Sequence, residues 1–236
     1  MLLLATVSSL ALAGEQMFAF TYGYGTVPKG GVEIEHYTTV SLDEGGKTNE
    51  WKHMVELEYG ITDHLESGLY FVGAQTNAGP FAYSGFKARL KYRFGSEGVG
   101  PIDPAVYVEY ISEPTFTEHG VEGKLILAKK IGGLEVDFNA EYVASFSPGG
   151  IEHEIEPFLG VGYRVAPWFA VGVESKNEVE IAGGEVEGPR LWAGPSVHLA
   201  GEGGRFWLTV SGLAPLTDET ALDHGVFLRT LVAVNL

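Results

Sequence analysis

Four basic residues at every second position, Lys87, Arg89, Lys91 and Arg93, alternate with Phe86, Ala88, Leu90, Tyr92 and Phe94. A strand sends successive side chains to opposite sides, so this spacing makes one cationic face and one apolar face. Acids recur at the same spacing elsewhere: Glu33 and Glu35, Glu56 and Glu58, Glu135 with Asp137 and Glu141, and Glu154 with Glu156, joined by Glu109. If such faces enclose a common space, two kinds of chemistry follow. Opposed walls create a transverse field that selects polar or charged solutes in a pore. The same charges can also pair and merely close the interior. The candidate lumen-lining set is Lys87, Arg89, Lys91, Arg93, Glu56, Glu58, Glu109, Glu135, Asp137, Glu154 and Glu156. By strand order, Glu66 and Glu109 are the nearest partners for the basic ladder.

Other reactive side chains are less organised. The seven histidines, His36, His53, His64, His119, His153, His198 and His224, have no compact ligand spacing and no cysteine beside them, so no metal site is expected. His36, His53 and His153 fall on the apolar parity, near the expected outer rim. Ser196 and His198 share one parity. Two residues apart on a strand puts side chains on the order of 7 Å apart, too far for a nucleophile and its base. No catalytic residue and no cofactor is expected, and an enzyme is the third reading after a pore and a closed barrel.

The elements that must carry these residues are strands. The 236 residues include 33 glycines, 45% hydrophobic residues and 12% aromatics, a composition suited to strands joined by tight turns. Segments of about ten residues alternate apolar and polar. In Trp51–Tyr59, for example, Trp51, His53, Val55, Leu57 and Tyr59 oppose Lys52, Met54, Glu56 and Glu58. The pattern predicts twelve strands, at 31–41, 50–60, 65–75, 82–94, 104–112, 121–130, 133–145, 151–164, 167–177, 189–199, 204–212 and 225–236. Even-to-odd connections are mostly tight, such as Ile131-Gly132-Gly133, with Gly95–Asp103 a long exception. Odd-to-even connections are longer and more polar, as in Leu42–Asn49, Glu113–Gly120, Glu178–Gly188 and Leu213–His224. The acidic, glycine-containing stretch Asn177–Gly188 reads as a solvated loop.

Facing decides the fold class. The polar faces carry dense charge of both signs, whereas the apolar faces of the middle strands carry almost none; Lys129 lies near a strand end, within snorkelling reach of water. Aromatics gather near strand ends, at Trp51, Tyr59, Tyr92, Phe94, Tyr110, Tyr142, Tyr163 and Trp168, as in interfacial girdles. An all-β, closed antiparallel transmembrane β-barrel follows, an up-and-down meander with its apolar side outward. Closure satisfies every backbone group, which lipid requires. Residues 1–13, MLLLATVSSLALA, have the apolar core and small-x-small end of an export signal. The expected organisation is therefore a signal peptide at 1–13 and one barrel domain at 14–236, located in the bacterial outer membrane. The formal charge of −16, from 31 acids and 15 bases, repels nucleic acid. The expected partners are outer-membrane lipid, lipopolysaccharide, the barrel-assembly machinery and small solutes.

The stretches FAFTYGYGTVPKGGVEIEHYTTV at Phe18–Val40, VELEYGITDHLESGLYF at Val55–Phe71 and EGKLILAKKIGGLEVDFNAEYV at Glu122–Val143 resemble a loosely defined group of bacterial outer-membrane β-barrel proteins of uncharacterised function, akin to transporter and porin barrels. The resemblance implies a barrel and a location. It implies no substrate and carries over no functional residue. The expected role is a narrow channel or transporter for small polar or charged solutes; a closed structural barrel with surface-binding loops is the alternative.

Overall fold

A computed structural model describes residues 14–42, 49–76, 79–217, 220–221 and 225–236. The expected signal segment, His224 and the whole β1–β2 connection lie outside the described residues. Twelve strands form: β1 (Val32–Leu42), β2 (Asn49–Gly60), β3 (Leu65–Thr76), β4 (Ala82–Arg93), β5 (Asp103–Ser112), β6 (His119–Ile131), β7 (Leu134–Ser147), β8 (Gly150–Ala166), β9 (Phe169–Ala182), β10 (Glu185–Ala200), β11 (Phe206–Pro215) and β12 (Val226–Asn235). Each pairs antiparallel with its sequence neighbour, and β1 closes on β12 through register pairs such as Glu35↔Ala233. The meander is therefore a closed barrel with both ends of the described chain, Gly14 and Leu236, on one rim. Among the described residues no helix is long and apolar enough to cross a membrane.

The polarity is inside out. Leu57, Leu90 and Val108 on the outer wall are 46–50% exposed, while Glu33, Glu35 and Glu56 inside are 0% exposed. Such an outer surface suits hydrocarbon, and the alternation that produces it runs through most of the barrel wall, fading in the β9–β10 hairpin. The eight girdle aromatics all face outward. His36 and His53 also face outward and stack with ring centroids 5.7 Å apart. His36, the fifth of the eleven residues of β1, lies near the middle of the strand, however, not at the outer rim.

One connection differs from expectation. The stretch 177–188 is no loop: β9 and β10 extend through it, and Gly183 and Gly184 make the turn at φ 60° and 88°. Positive φ at both central residues matches the right-handed twist of a tight hairpin. On the polar side of this hairpin Arg190 binds Glu178 at 3.0 Å, Glu180 at 3.4 Å and Glu187 at 2.7 Å. These ion pairs turn an acidic stretch into strand. The connection between β4 and β5 is long, as expected, and it supports a segment inside the barrel.

That segment is Gly14–Pro28. It forms neither strand nor helix. It rises from the rim bearing the chain ends to the middle of the lumen, then returns to that rim before β1. Met17, Phe18, Ala19, Phe20, Tyr24 and Val27 are all buried, so the barrel is filled by its own N-terminal plug.

Candidate functional site: the plugged lumen

The lumen wall holds the plug through polar side chains and through apolar packing. On the ascending limb, Arg164 meets Glu15 at 2.9 Å and His198 contacts the same carboxylate. Thr209 donates to the Gln16 carbonyl at 2.6 Å, and Ser196 to the Met17 carbonyl at 3.1 Å. The Glu174 carboxylate accepts three successive backbone N–H groups, from Ala19, Phe20 and Thr21, at 3.1, 2.9 and 3.0 Å. One buried charge thus satisfies the donors that an irregular chain would otherwise leave unpaired. Asn139 accepts from the Tyr22 N–H at 2.7 Å and donates to its carbonyl at 2.9 Å. Lys124 lies 3.9 Å from the centre of the Tyr22 ring.

The descending limb uses β3, β4 and the connection after β4. Lys91 donates to the Gly25 carbonyl, Arg93 to the Thr26 hydroxyl at 2.9 Å, and the Val27 N–H to Glu66 at 2.6 Å. The Tyr24 hydroxyl reaches the carbonyls of Phe94 and Gly95 at 2.5 and 2.9 Å. Two aromatic anchors complete the fit. Phe20 packs with Phe158, Trp192 and Leu213. Phe18 lies against β8 and β9 where they carry Gly160, Gly162 and Gly172; a Cβ on Gly160 would sit 2.6 Å from the Phe18 ring.

The basic ladder divides by depth. Lys91 and Arg93 hold the plug. Arg89, 4% exposed, reaches Glu56 at 2.6 Å, Glu66 at 2.7 Å and also Glu58. It is within 5.5 Å of the Tyr107 ring centre. Gly68 leaves the room: a Cβ there would fall 2.2 Å from Glu56 Oε1 and 2.7 Å from Arg89 Nε. Lys87 pairs with Glu109 at 2.7 Å and borders a polar cavity of 410 Å³ towards the other rim, lined among others by Glu50, Lys52, Ser112, His119 and Glu152.

Of the remaining lumen candidates, Glu156 binds Lys176 at 2.8 Å, Glu135 lies 3.5 Å from Lys130, Glu154 is half-buried, and Asp137 is buried. All eleven candidates lie on the interior side. Strand order identifies the contacts of Glu66 with Arg89 and Glu109 with Lys87. It misses Glu56 and Glu58, which are two strands away from Arg89, and it misses the plug-binding residues Glu174, Asn139 and Thr209. Ser196 and His198, the pair weighed for catalysis, each bind the plug; His198 also contacts the Thr209 hydroxyl at 2.8 Å.

Comparison with known proteins agrees with this architecture. The COG4313 outer-membrane channel from Pseudomonas putida F1 superposes with a TM-score of 0.62 at 12% identity, covering 90% of this chain and 98% of that one. The translocator domain of the autotransporter NalP from Neisseria meningitidis gives 0.54 at 14% identity, covering 87% and 88%. These likenesses extend to the fold, which is that of outer-membrane β-barrels. No curated protein matches the chain in sequence. Residues 10–110 and 114–219 match a family of unknown function, DUF6662, and the chain belongs to that family.

Proposed function

We propose that the barrel resides in the outer membrane of a Gram-negative bacterium as a narrow, gated channel or transporter for small polar or charged solutes, with Gly14–Pro28 as the gate. The plug's seating carries the reading. Beside its apolar packing, the plug makes hydrogen bonds and ion pairs to hydrophilic wall side chains along both limbs, so withdrawing it uncovers polar groups that water and solutes can take over. The polar cavity beside Lys87 supplies the vestibule. The apolar outer wall meets lipid, and the rim bearing both chain ends faces the periplasm. We read Ser196 and His198 as anchors of the gate, not as catalysts. One observation favours a permanently closed barrel instead: Arg89 is locked among three glutamates in the lumen wall.

Planar-bilayer recordings on the refolded full chain separate the readings. The chain has no cysteine, and the Ala19 N–H lies 3.4 Å from the Ser211 hydroxyl, so A19C/S211C places two thiols across the plug–wall contact. The native chain and the reduced variant are expected to conduct in discrete steps, and the oxidised variant to fall silent. Silence of all three would favour the closed barrel. Equal conduction by oxidised and reduced protein would remove the plug from gating.

A further inference from the structure

The rim beneath the plug carries carboxylates that its cations do not balance. Glu33 and Glu35 on β1 face Glu58 and Glu56 on β2 in register, and Glu66 adds a fifth acid from β3. Arg89 serves Glu56, Glu58 and Glu66, with Lys91 3.8 Å from Glu66. Glu33 and Glu35, both 0% exposed, receive neutral donors: the Trp207 indole at 3.2 Å from Glu33 Oε2, and the Tyr37 hydroxyl on Glu35 Oε2. Their other oxygens, Glu33 Oε1 and Glu35 Oε1, have no hydrogen-bond partner among the described residues. One carboxylate oxygen from each of Glu33, Glu35 and Glu58 lies within 4.8 Å of the others, close enough to share one cation. Leaving such oxygens buried without a charge partner is costly.

The plug begins at this place. A Cβ on Gly14 would lie 2.8 and 3.1 Å from the two Glu33 oxygens, and the Gly14 nitrogen hangs from the same Cα. The plug's return passes close by, with that nitrogen 3.3 Å from the Cβ position of Gly25. The Ala11-Leu12-Ala13 pattern predicts export cleavage at or beside the Ala13–Gly14 bond, and the proposal takes that bond. Hydrolysis there by the export peptidase consumes one water, leaves the new carboxylate on Ala13, and leaves Gly14 with an amine that takes up a proton.

We propose that Glu33, Glu35 and Glu58 form a receptor for the Gly14 α-ammonium group, so that removal of the signal supplies the cation that locks the plug in the lumen. An uncleaved chain offers only a neutral amide N–H at this position. The proposal rests on the plug's placement and the cleavage site, and holds whether or not the lumen conducts.

The test uses the full chain exported in a Gram-negative host and kept in its isolated outer membranes. Peptide mass spectrometry is expected to find an unblocked N-terminus at Gly14. Amine acetylation, quantified on the same peptides, is expected to modify that α-amine about tenfold or more slowly in native membranes than after denaturation, as for a group exposed only on opening. Lys29, exposed at the same rim, is the control that reacts readily in both. The E33Q and E35Q variants should raise the α-amine's native reactivity towards that of Lys29. A mature start other than Gly14 would overturn the proposal, as would equal labelling of folded and denatured protein. Co-purifying calcium or magnesium whose removal by EDTA leaves the α-amine unchanged but destabilises the barrel would give the seat to a metal ion. The unmodified protein decides the matter even if both variants fail to assemble.

Discussion

Arg89 shows how much one lumen residue can carry. Three carboxylates and two aromatic rings surround it, and its side chain is 1% exposed. Such a cluster owes its stability to mutual neutralisation, and losing one member leaves the others buried and unpaired. Arg89→Met is therefore expected to lower barrel stability by about 3–5 kcal/mol, measured as the shift in urea midpoint for folding into lipid vesicles. Glu66→Gln should cost less, because two carboxylates remain on the guanidinium. Part of this cluster was legible from sequence. Alternation put Arg89 and Glu66 on the same side of adjacent strands, and strand order made them neighbours. Glu56 and Glu58 were not legible as partners because β3 lies between β2 and β4. They reach Arg89 across Gly68, and a glycine amid the residues that face inward is a clue that two longer side chains meet over it.

At the scale of elements, alternation reports strands well and the plug hardly at all. The twelve strands were legible because each puts apolar and polar residues on opposite walls, and the β9–β10 hairpin was missed where acidic composition outweighed the alternating Val179, Ile181 and Val186. Gly14–Pro28 has no period of its own; its position is imposed by what it touches. The readable trace lies on the other side of the contact, in Gly160, Gly162 and Gly172, which leave space for Phe18. Gly160→Val, whose added Cβ has its three nearest atoms in the Phe18 ring, is expected to cost about 1–3 kcal/mol by overpacking and to loosen the plug while the barrel persists. Chymotrypsin cleavage near Phe18–Tyr22 should rise while the barrel keeps its heat-dependent gel mobility, and adding Phe18→Ala should restore protection. The strands themselves can be tested from outside. Leu90→Arg and Phe138→Arg, both on the outer wall, should each cost about 2–4 kcal/mol near the bilayer midplane, measured by the same urea titration. Undiminished stability in both would reverse the assignment of inside and outside.

For the whole molecule, closure and charge divide the lumen into three levels. Nearest the chain ends, acids and plug are packed together. Above them Arg89 ties β4 to β2 and β3. Beyond it, Lys87 faces the polar cavity with its side chain 19% exposed. Reversing Arg89 and Lys91 would place carboxylates among Glu56, Glu58 and Glu66, so that variant reports on assembly before it can report on selectivity. Lys87 is the better probe. Lys87→Glu takes the formal charge from −16 to −18 and removes the cation from Glu109 and from Glu122, 4.0 Å away. Water in the cavity can solvate the new carboxylate, so the barrel is expected to assemble. An acidic constriction attracts cations and repels anions, and a solute path through this cavity should therefore become more cation-selective. Reversal potentials under a potassium chloride gradient measure the change, with Lys87→Gln expected between the native chain and Lys87→Glu. Conduction with unchanged selectivity in all three would mean that ions do not pass Lys87, and the vestibule would have to be sought elsewhere in the lumen.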